Sequence, residues 1–196
     1  MNVPNSITIG RVILALVTVS LLWWRDDNML WLASALTALV IWGDGLDGYF
    51  ARKLKQTTAL GAVLDIAGDR VVEMMYWIVF AALNWIPVWV PLLYLVRGTF
   101  VDAIRAKASE QGFSAFGEKT MMESKLGKFI VASNFSRFTY AVTKAAAFCL
   151  IIVAQVSTLK ETPLPAVAMW CVWIAAAFCV LRGLPVFVEG RRLMQG

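Results

Sequence analysis

MLWLASALTALVIWGDGLDGYFARKLKQTTALGAVLDIAGDRVVEMMYWIVFAAL, residues 29–83, sets four aspartates between two long apolar runs. The runs at 29–40 and 74–83 are matched elsewhere by others such as 145–156, each broken off by a short polar stretch. Over its 196 residues the chain is 60% hydrophobic and only 16% charged, with nine tryptophans and a mean hydropathy of +0.69. Soluble domains hold roughly 45–50% apolar and about 25% charged residues. The chain therefore reads as an all-α integral membrane protein.

A membrane-crossing helix needs about 20 mostly apolar residues. Six stretches qualify, at 7–24, 29–50, 60–84, 87–106, 128–156 and 163–188. The fifth is longer than a bilayer requires, so it either tilts or begins in the interface. Pro87 and Pro163 fall at helix starts, where a missing N–H costs little. Pro185 predicts a kink or an early stop in the sixth stretch. Residues 1–6 read as an interfacial lead-in rather than a cleavable signal, because no early positive charges precede the apolar part. One set of loops and flanks carries Arg52, Lys53, Lys55, Arg105, Lys107, Lys119, Lys125, Lys128, Arg191 and Arg192, and the opposite set only Arg25 and Lys160. That bias places both termini in the cytoplasm. No repeat or linker divides residues 1–196, so one domain suffices.

Composition also excludes chemistry. The chain has no histidine, which removes a histidine-based triad, His-ligated zinc and His-held haem. Cys149, Cys171 and Cys179 lie in apolar runs without a C-x-x-C pair and read as small core residues. The net charge of +5 suits cytoplasmic loops, and no basic patch interleaved with aromatics points to nucleic acid.

The acids decide the function. Asp44, Asp47, Asp65 and Asp69 sit at the cytoplasmic end of the second and third stretches. An aspartate at the centre of a membrane helix costs about 2.5 to 3.5 kcal/mol, and less near its end. A group of four must still be compensated, and intramembrane ionisable residues are functional candidates by default. Asp44 and Asp47 are spaced i, i+3 and Asp65 and Asp69 i, i+4, so each pair shares a helical face. A short turn at 51–59 makes the two helices antiparallel neighbours, with the pairs at similar depth. Two divalent cations would neutralise four carboxylates, and hard oxygen ligands select Mg²⁺, Mn²⁺ or Ca²⁺ over zinc or copper. The competing reading pairs each aspartate with Arg52, Lys53 or Arg70. Gly45, Gly48, Ala51 and Gly61 leave space for a ligand against the backbone, and Arg52 offers a fork of donors suited to phosphate.

The pattern Asp44-x2-Asp47-Gly48-x2-Ala51-Arg52-x8-Gly61-x3-Asp65-x3-Asp69 resembles the complete signature of the CDP-alcohol phosphotransferase (phosphatidyltransferase) family. The resemblance implies six transmembrane helices, a homodimer, and two divalent cations, Mg²⁺ or Mn²⁺. It implies that Asp44, Asp47 and Asp65 ligate metal and that Asp69 is the general base, also near the metals. Gly48, Ala51 and Gly61 would line the CDP pocket, and Arg52 would contact its phosphates. The reaction implied is displacement of CMP from CDP-diacylglycerol by an alcohol, on the cytoplasmic side of an inner membrane.

The acceptor is read from the remaining cations. Arg97, Arg105, Lys125, Lys128, Arg137, Lys144 and Arg182 lie in or beside the later stretches. Ser133, Arg137, Tyr140 and Lys144 step by 4, 3 and 4, a polar stripe on the fifth. Arg97, Arg105, Lys125, Arg137 and Lys144 form the candidate pocket for an anionic acceptor. The alternative pairs Arg137 and Lys144 with Asp102 or Glu73, or lets them snorkel to an interface. The opening Asn2-Val3-Pro4-Asn5-x2-Thr8-x2-Arg11 is similar to that of the family's bacterial phosphatidylglycerophosphate synthase branch, which implies glycerol 3-phosphate as acceptor. Ile66 and Arg70 stand where that branch usually has proline and lysine, which keeps inositol phosphate or another polar alcohol open. A divalent-cation transporter is the alternative of another class, but it needs acids along a pathway rather than at one end.

Overall fold

The computed structural model describes residues 3–53, 59–113 and 120–191, with the side chains of 3–4, 44–53, 59–60 and 62 outside the description. The described residues form six long helices and one short one: α1 (Val3–Leu21), α2 (Asp27–Lys53), α3 (Ala59–Ala82), α4 (Trp89–Glu110), α5 (Lys125–Gly127), α6 (Asn134–Val153) and α7 (Leu164–Gly190). Among the described residues three stretches, Asn5–Trp24, Asn134–Val153 and Leu164–Gly190, are long and apolar enough to cross a membrane. In α3 and α4 the apolar sequence is interrupted by Asp65, Asp69, Arg70 and Glu73, and by Arg97, Asp102 and Arg105.

The outer faces of these helices are apolar. Ile13, Leu16, Val17, Leu92, Val96, Leu181 and Leu184 are each about half exposed, which in a soluble protein would be an aggregation surface and in lipid is the solvated one. Trp23, Trp24, Trp31 and Trp89 are exposed near helix ends, as interfacial tryptophans are. Apolar helices and an apolar exterior together make the chain an integral membrane protein.

Contacts divide the chain into two units. The first comprises Met1–Pro91 and Ala145–Met169. Here α1 packs on both α2 and α3. The helical part of α1 ends in a 3-10 turn, Leu22–Trp24, and Arg25 then takes φ 54° to release the chain. Asp26 starts α2 by accepting from the N–H groups of Asn28 and Met29 at 3.0 and 3.2 Å, so the helix begins ahead of its apolar run. The core is aromatic: the Tyr76 ring stacks on Phe148 at 4.8 Å, and Trp77 meets Phe148 edge-on at 4.7 Å. The Tyr76 hydroxyl reaches Thr37 Oγ1 at 3.1 Å, and Thr37 in turn donates to the Ala33 carbonyl. Tyr76, Thr37 and the Ala33 carbonyl thus form a short buried hydrogen-bonded chain.

The second unit comprises Leu92–Lys144 and Trp170–Gly196. Val101, Ile104, Ala108, Met121, Met122, Val131 and Val186 form its core. Glu189, near the end of α7, accepts from the backbone N–H of Glu123 and of Ser124 and from the Ser124 hydroxyl, while Ser124 caps α5 through Gly127 N–H at 2.9 Å.

Two expectations change. The run at 128–156 is not one helix: a π-helical turn, Lys128–Ala132, ends at Ser133, which is extended at ψ 141°, and α6 starts anew at Asn134. Arg182 makes this break affordable by donating to the Ile130 and Val131 carbonyls that the interruption frees. Ser133 accordingly sits at the junction, and only Arg137, Tyr140 and Lys144 of the proposed stripe lie within α6. Pro185 does not stop α7, which runs on to Gly190. Cys149, Cys171 and Cys179 form no disulfide; Cys179 is a buried core residue, and Cys149 and Cys171 are partly buried.

Candidate active site

The motif's backbone is helical on both sides of residues 54–58. α2 continues unbroken through Asp44, Asp47, Gly48, Ala51 and Arg52, whose side chains lie outside the described residues. α3 carries Gly61, Asp65 and Asp69, with Asp65 half-buried and the Asp69 side chain 49% exposed. The pairs thus keep the i, i+3 and i, i+4 spacing that puts each on one helical face.

A residue from outside the motif ties its two ends together. The Arg11 side chain of α1 is only 5% exposed, and its Nη2 donates to Asp69 Oδ1 at 2.6 Å. A Cβ on Gly43, the residue before Asp44, would lie 3.6 Å from Arg11 Cδ. The same guanidinium stem therefore runs beside the start of the motif on α2 and ends on its last aspartate on α3. One side chain thus lies near position 43 and reaches position 69. Arg70, the base adjacent in sequence, places its Nη1 on Glu73 Oε2 at 2.9 Å, one turn along α3. The sequence reading missed Arg11 as a partner of Asp69. Its signal was a charged residue inside the first apolar run, which seldom occurs without a matching countercharge.

The cations of the second unit fall into two groups. Arg97 on α4 is buried at 7% exposure and packs against Gly183, where a Cβ would be 3.0 Å from Arg97 Cγ. Its Nε is buried with no hydrogen-bond partner among the described residues. Lys144 Nζ stands 4.6 Å from the centre of the Tyr140 ring, and Arg182 Cζ stands 5.5 Å from it. Lys144 and Arg182 thus share the Tyr140 ring, and Arg97 packs on Gly183, the residue after Arg182. Arg182 itself is held by backbone carbonyls and Ser136. Arg105 is half-buried two turns farther along α4, and Lys125 is exposed on α5.

No set of three or more metal-ligating side chains gathers among the described residues, which do not include the side chains of Asp44 and Asp47. The donors that are described, Asp65 and Asp69, are carboxylates one turn apart with Asp69 open to the outside, a chemistry that fits hard divalent cations.

The family model for CDP-alcohol phosphatidyltransferase matches residues 1–181. The chain belongs to the CDP-alcohol phosphatidyltransferase family and is an enzyme of that class. Among curated proteins it is 29% identical over 161 residues to a CDP-diacylglycerol--glycerol-3-phosphate 3-phosphatidyltransferase of Pseudomonas fluorescens, covering 77% of this chain and 82% of the relative. A protein of the same name from Aquifex aeolicus is 39% identical over 71 residues, 36% of this chain and 38% of its own. A CDP-diacylglycerol--inositol 3-phosphatidyltransferase of Schizosaccharomyces pombe is 39% identical over 70 residues, 35% of this chain and 27% of its own. Membership sets aside the transporter alternative.

Proposed function

We infer that this enzyme moves a phosphatidyl group from CDP-diacylglycerol to glycerol 3-phosphate and releases CMP. The observation that carries the acceptor is Arg97, a buried guanidinium whose Nε has no hydrogen-bond partner among the described residues and which packs on Gly183 beside the cation Arg182. Concentrated positive charge with an unanswered donor suits an acceptor that brings its own phosphate. The names of the longer-matching relatives agree with this choice. Arg105 and Lys125 complete the candidate pocket.

In the reaction the acceptor hydroxyl oxygen attacks the phosphorus that bears diacylglycerol. Asp69 takes the hydroxyl proton as that bond forms, and the bond to CMP breaks with the electron pair leaving on CMP. Because a carboxylate is a far weaker base than an alkoxide, proton transfer must be concerted with attack. Arg52 contacts the CDP phosphates, and Gly48, Ala51 and Gly61 leave the nucleotide close access to the helices. Asp44, Asp47, Asp65 and Asp69 would hold two divalent cations, Mg²⁺ or Mn²⁺, which when bound neutralise the pyrophosphate and make CMP a better leaving group. We read the assembly as a homodimer of six-span subunits in an inner membrane, with the site and both termini facing the cytoplasm, in keeping with the Lys/Arg bias.

An acceptor carrying inositol is the second reading, favoured by the inositol-transferring relative. Radiolabelled glycerol 3-phosphate and inositol 1-phosphate, offered separately, distinguish the two by which label enters the lipid fraction. Arg97→Ala should raise the KM for the phosphorylated acceptor about tenfold or more, since a charged hydrogen bond is worth roughly 1.5–3 kcal/mol. The KM for CDP-diacylglycerol should move less than the acceptor's, and equal movement of both would take Arg97 out of the acceptor pocket.

A further inference from the structure

α1 lies outside the motif at 44–69, yet it supplies the side chain that grips the motif's last aspartate. We propose that Arg11 is a positioning residue for the reaction: it holds Asp69 Oδ1 from within the helix packing and so fixes the direction in which that carboxylate meets the acceptor hydroxyl. The proposal rests on the reading of Asp69 as the base.

The asymmetry of the pair is the argument. Arg11 is the buried partner at 5% side-chain exposure, and Asp69 is the open one at 49%. A guanidinium surrounded by helices has few directions in which to point, whereas an exposed aspartate on a helix can rotate about two torsions. An ion pair at 2.6 Å between a buried cation and an exposed carboxylate therefore restricts the carboxylate. A base that must receive a proton at the moment of attack benefits directly from that order.

The local sequence is shaped to deliver the arginine. Thr8 and Arg11 are i, i+3 and share one face of α1. Thr8 is 5% exposed, and a Cβ on Gly68 would lie only 2.9 Å from its Cγ2. The same Cβ would be 3.7 Å from Arg11 Nη2 and 3.6 Å from Val12 Cγ2, both ordinary contacts. Gly68 thus admits the Thr8 methyl against α3, and one turn later Arg11 arrives at Asp69, the residue after Gly68. A purely charge-neutralising arginine would need the pair but not this fit.

The test is kinetic and compensatory, on purified full-length protein. Arg11→Met should lower kcat on the order of 10²-fold, the cost expected of a misplaced catalytic group. Both KM values and the Kd for CDP should stay within about threefold, since positioning rather than binding is lost. Arg11→Lys should recover part of the loss, because it restores the charge without the fork. Gly68→Ala should lower kcat by pushing Thr8 and hence Arg11 away, and Gly68→Ala combined with Thr8→Ser, which removes the obstructing methyl, should restore it. Wild-type kcat in folded Arg11→Met, with Asp69→Asn inactive, would overturn the proposal alone. Activity in Asp69→Asn would remove the base reading beneath it. Loss of CDP binding in Arg11→Met would make the residue a binding or folding element instead. Should Arg11→Met not fold, the glycine pair decides: no loss in Gly68→Ala, or no recovery with Thr8→Ser, overturns the proposal.

Discussion

Asp69→Asn should reduce turnover by about 10³-fold or more, within the range that a positioned general base contributes. The change is nearly isosteric, and the amide oxygen can still accept the hydrogen bond that Arg11 makes at 2.6 Å. What it loses is the ability to take a proton as the acceptor attacks. Asp69 itself is half exposed, but the buried Arg11 keeps only a hydrogen bond and loses its countercharge, so some thermal stability should be lost while the fold is kept. The measurement is kcat together with the unfolding temperature in detergent. Normal turnover in the variant would remove Asp69 from the chemistry, and low turnover with a collapsed Tm would assign it to structure.

The second large effect is on stability. Arg182 is 4% exposed and makes three donations, to the carbonyls of Ile130 and Val131 at 2.8 and 3.0 Å and to Ser136 Oγ at 2.6 Å. The Ser136 hydroxyl in turn donates to Ile130 at 2.6 Å. These bonds answer carbonyls exposed where the π-helical turn stops and α6 begins. Hydrogen bonds to a charged donor contribute roughly 1.5–3 kcal/mol each, so Arg182→Ala should cost at least about 3 kcal/mol. Lysine has a single donor centre and cannot span both carbonyls and the hydroxyl, so Arg182→Lys should fall between. Unfolding temperature read by intrinsic fluorescence checks this, and an unchanged Tm in Arg182→Ala would show that the junction holds itself together.

The parts of this molecule that sequence discloses are the local ones. Four aspartates at i, i+3 and i, i+4 can be read directly, because a helix converts spacing into geometry without help from elsewhere. The apolar blocks show the helices, though not their ends: α2 starts at Asp27 rather than at its first apolar residue because Asp26 caps it. The break at Ser133 was hidden, since Phe129, Ile130, Val131 and Ala132 continue the apolar pattern up to it. What permits the break is Arg182, about 50 residues away, and no local pattern announces such a partner. Likewise Arg70 stands next to Asp69 in sequence, but the side chain that reaches Asp69 is Arg11, 58 residues earlier. In the acceptor group, spacing placed Arg137 and Lys144 on one face, while packing against Gly183 is what distinguishes Arg97 from the other cations. Tertiary partners of charges in a membrane protein are the least legible feature, and they are where its chemistry is arranged.

The central claim is acceptor-dependent release of CMP. Purified protein should be given CDP-diacylglycerol with Mg²⁺ or Mn²⁺ and, one at a time, glycerol 3-phosphate, inositol 1-phosphate, inositol, serine and choline. The expected result is CMP formed with glycerol 3-phosphate, in step with a new acidic phospholipid, and abolished by a chelator. No CMP with any of the five from folded, CDP-binding protein would contradict the assignment of donor or acceptor, and release with inositol 1-phosphate alone would move the acceptor to inositol phosphate.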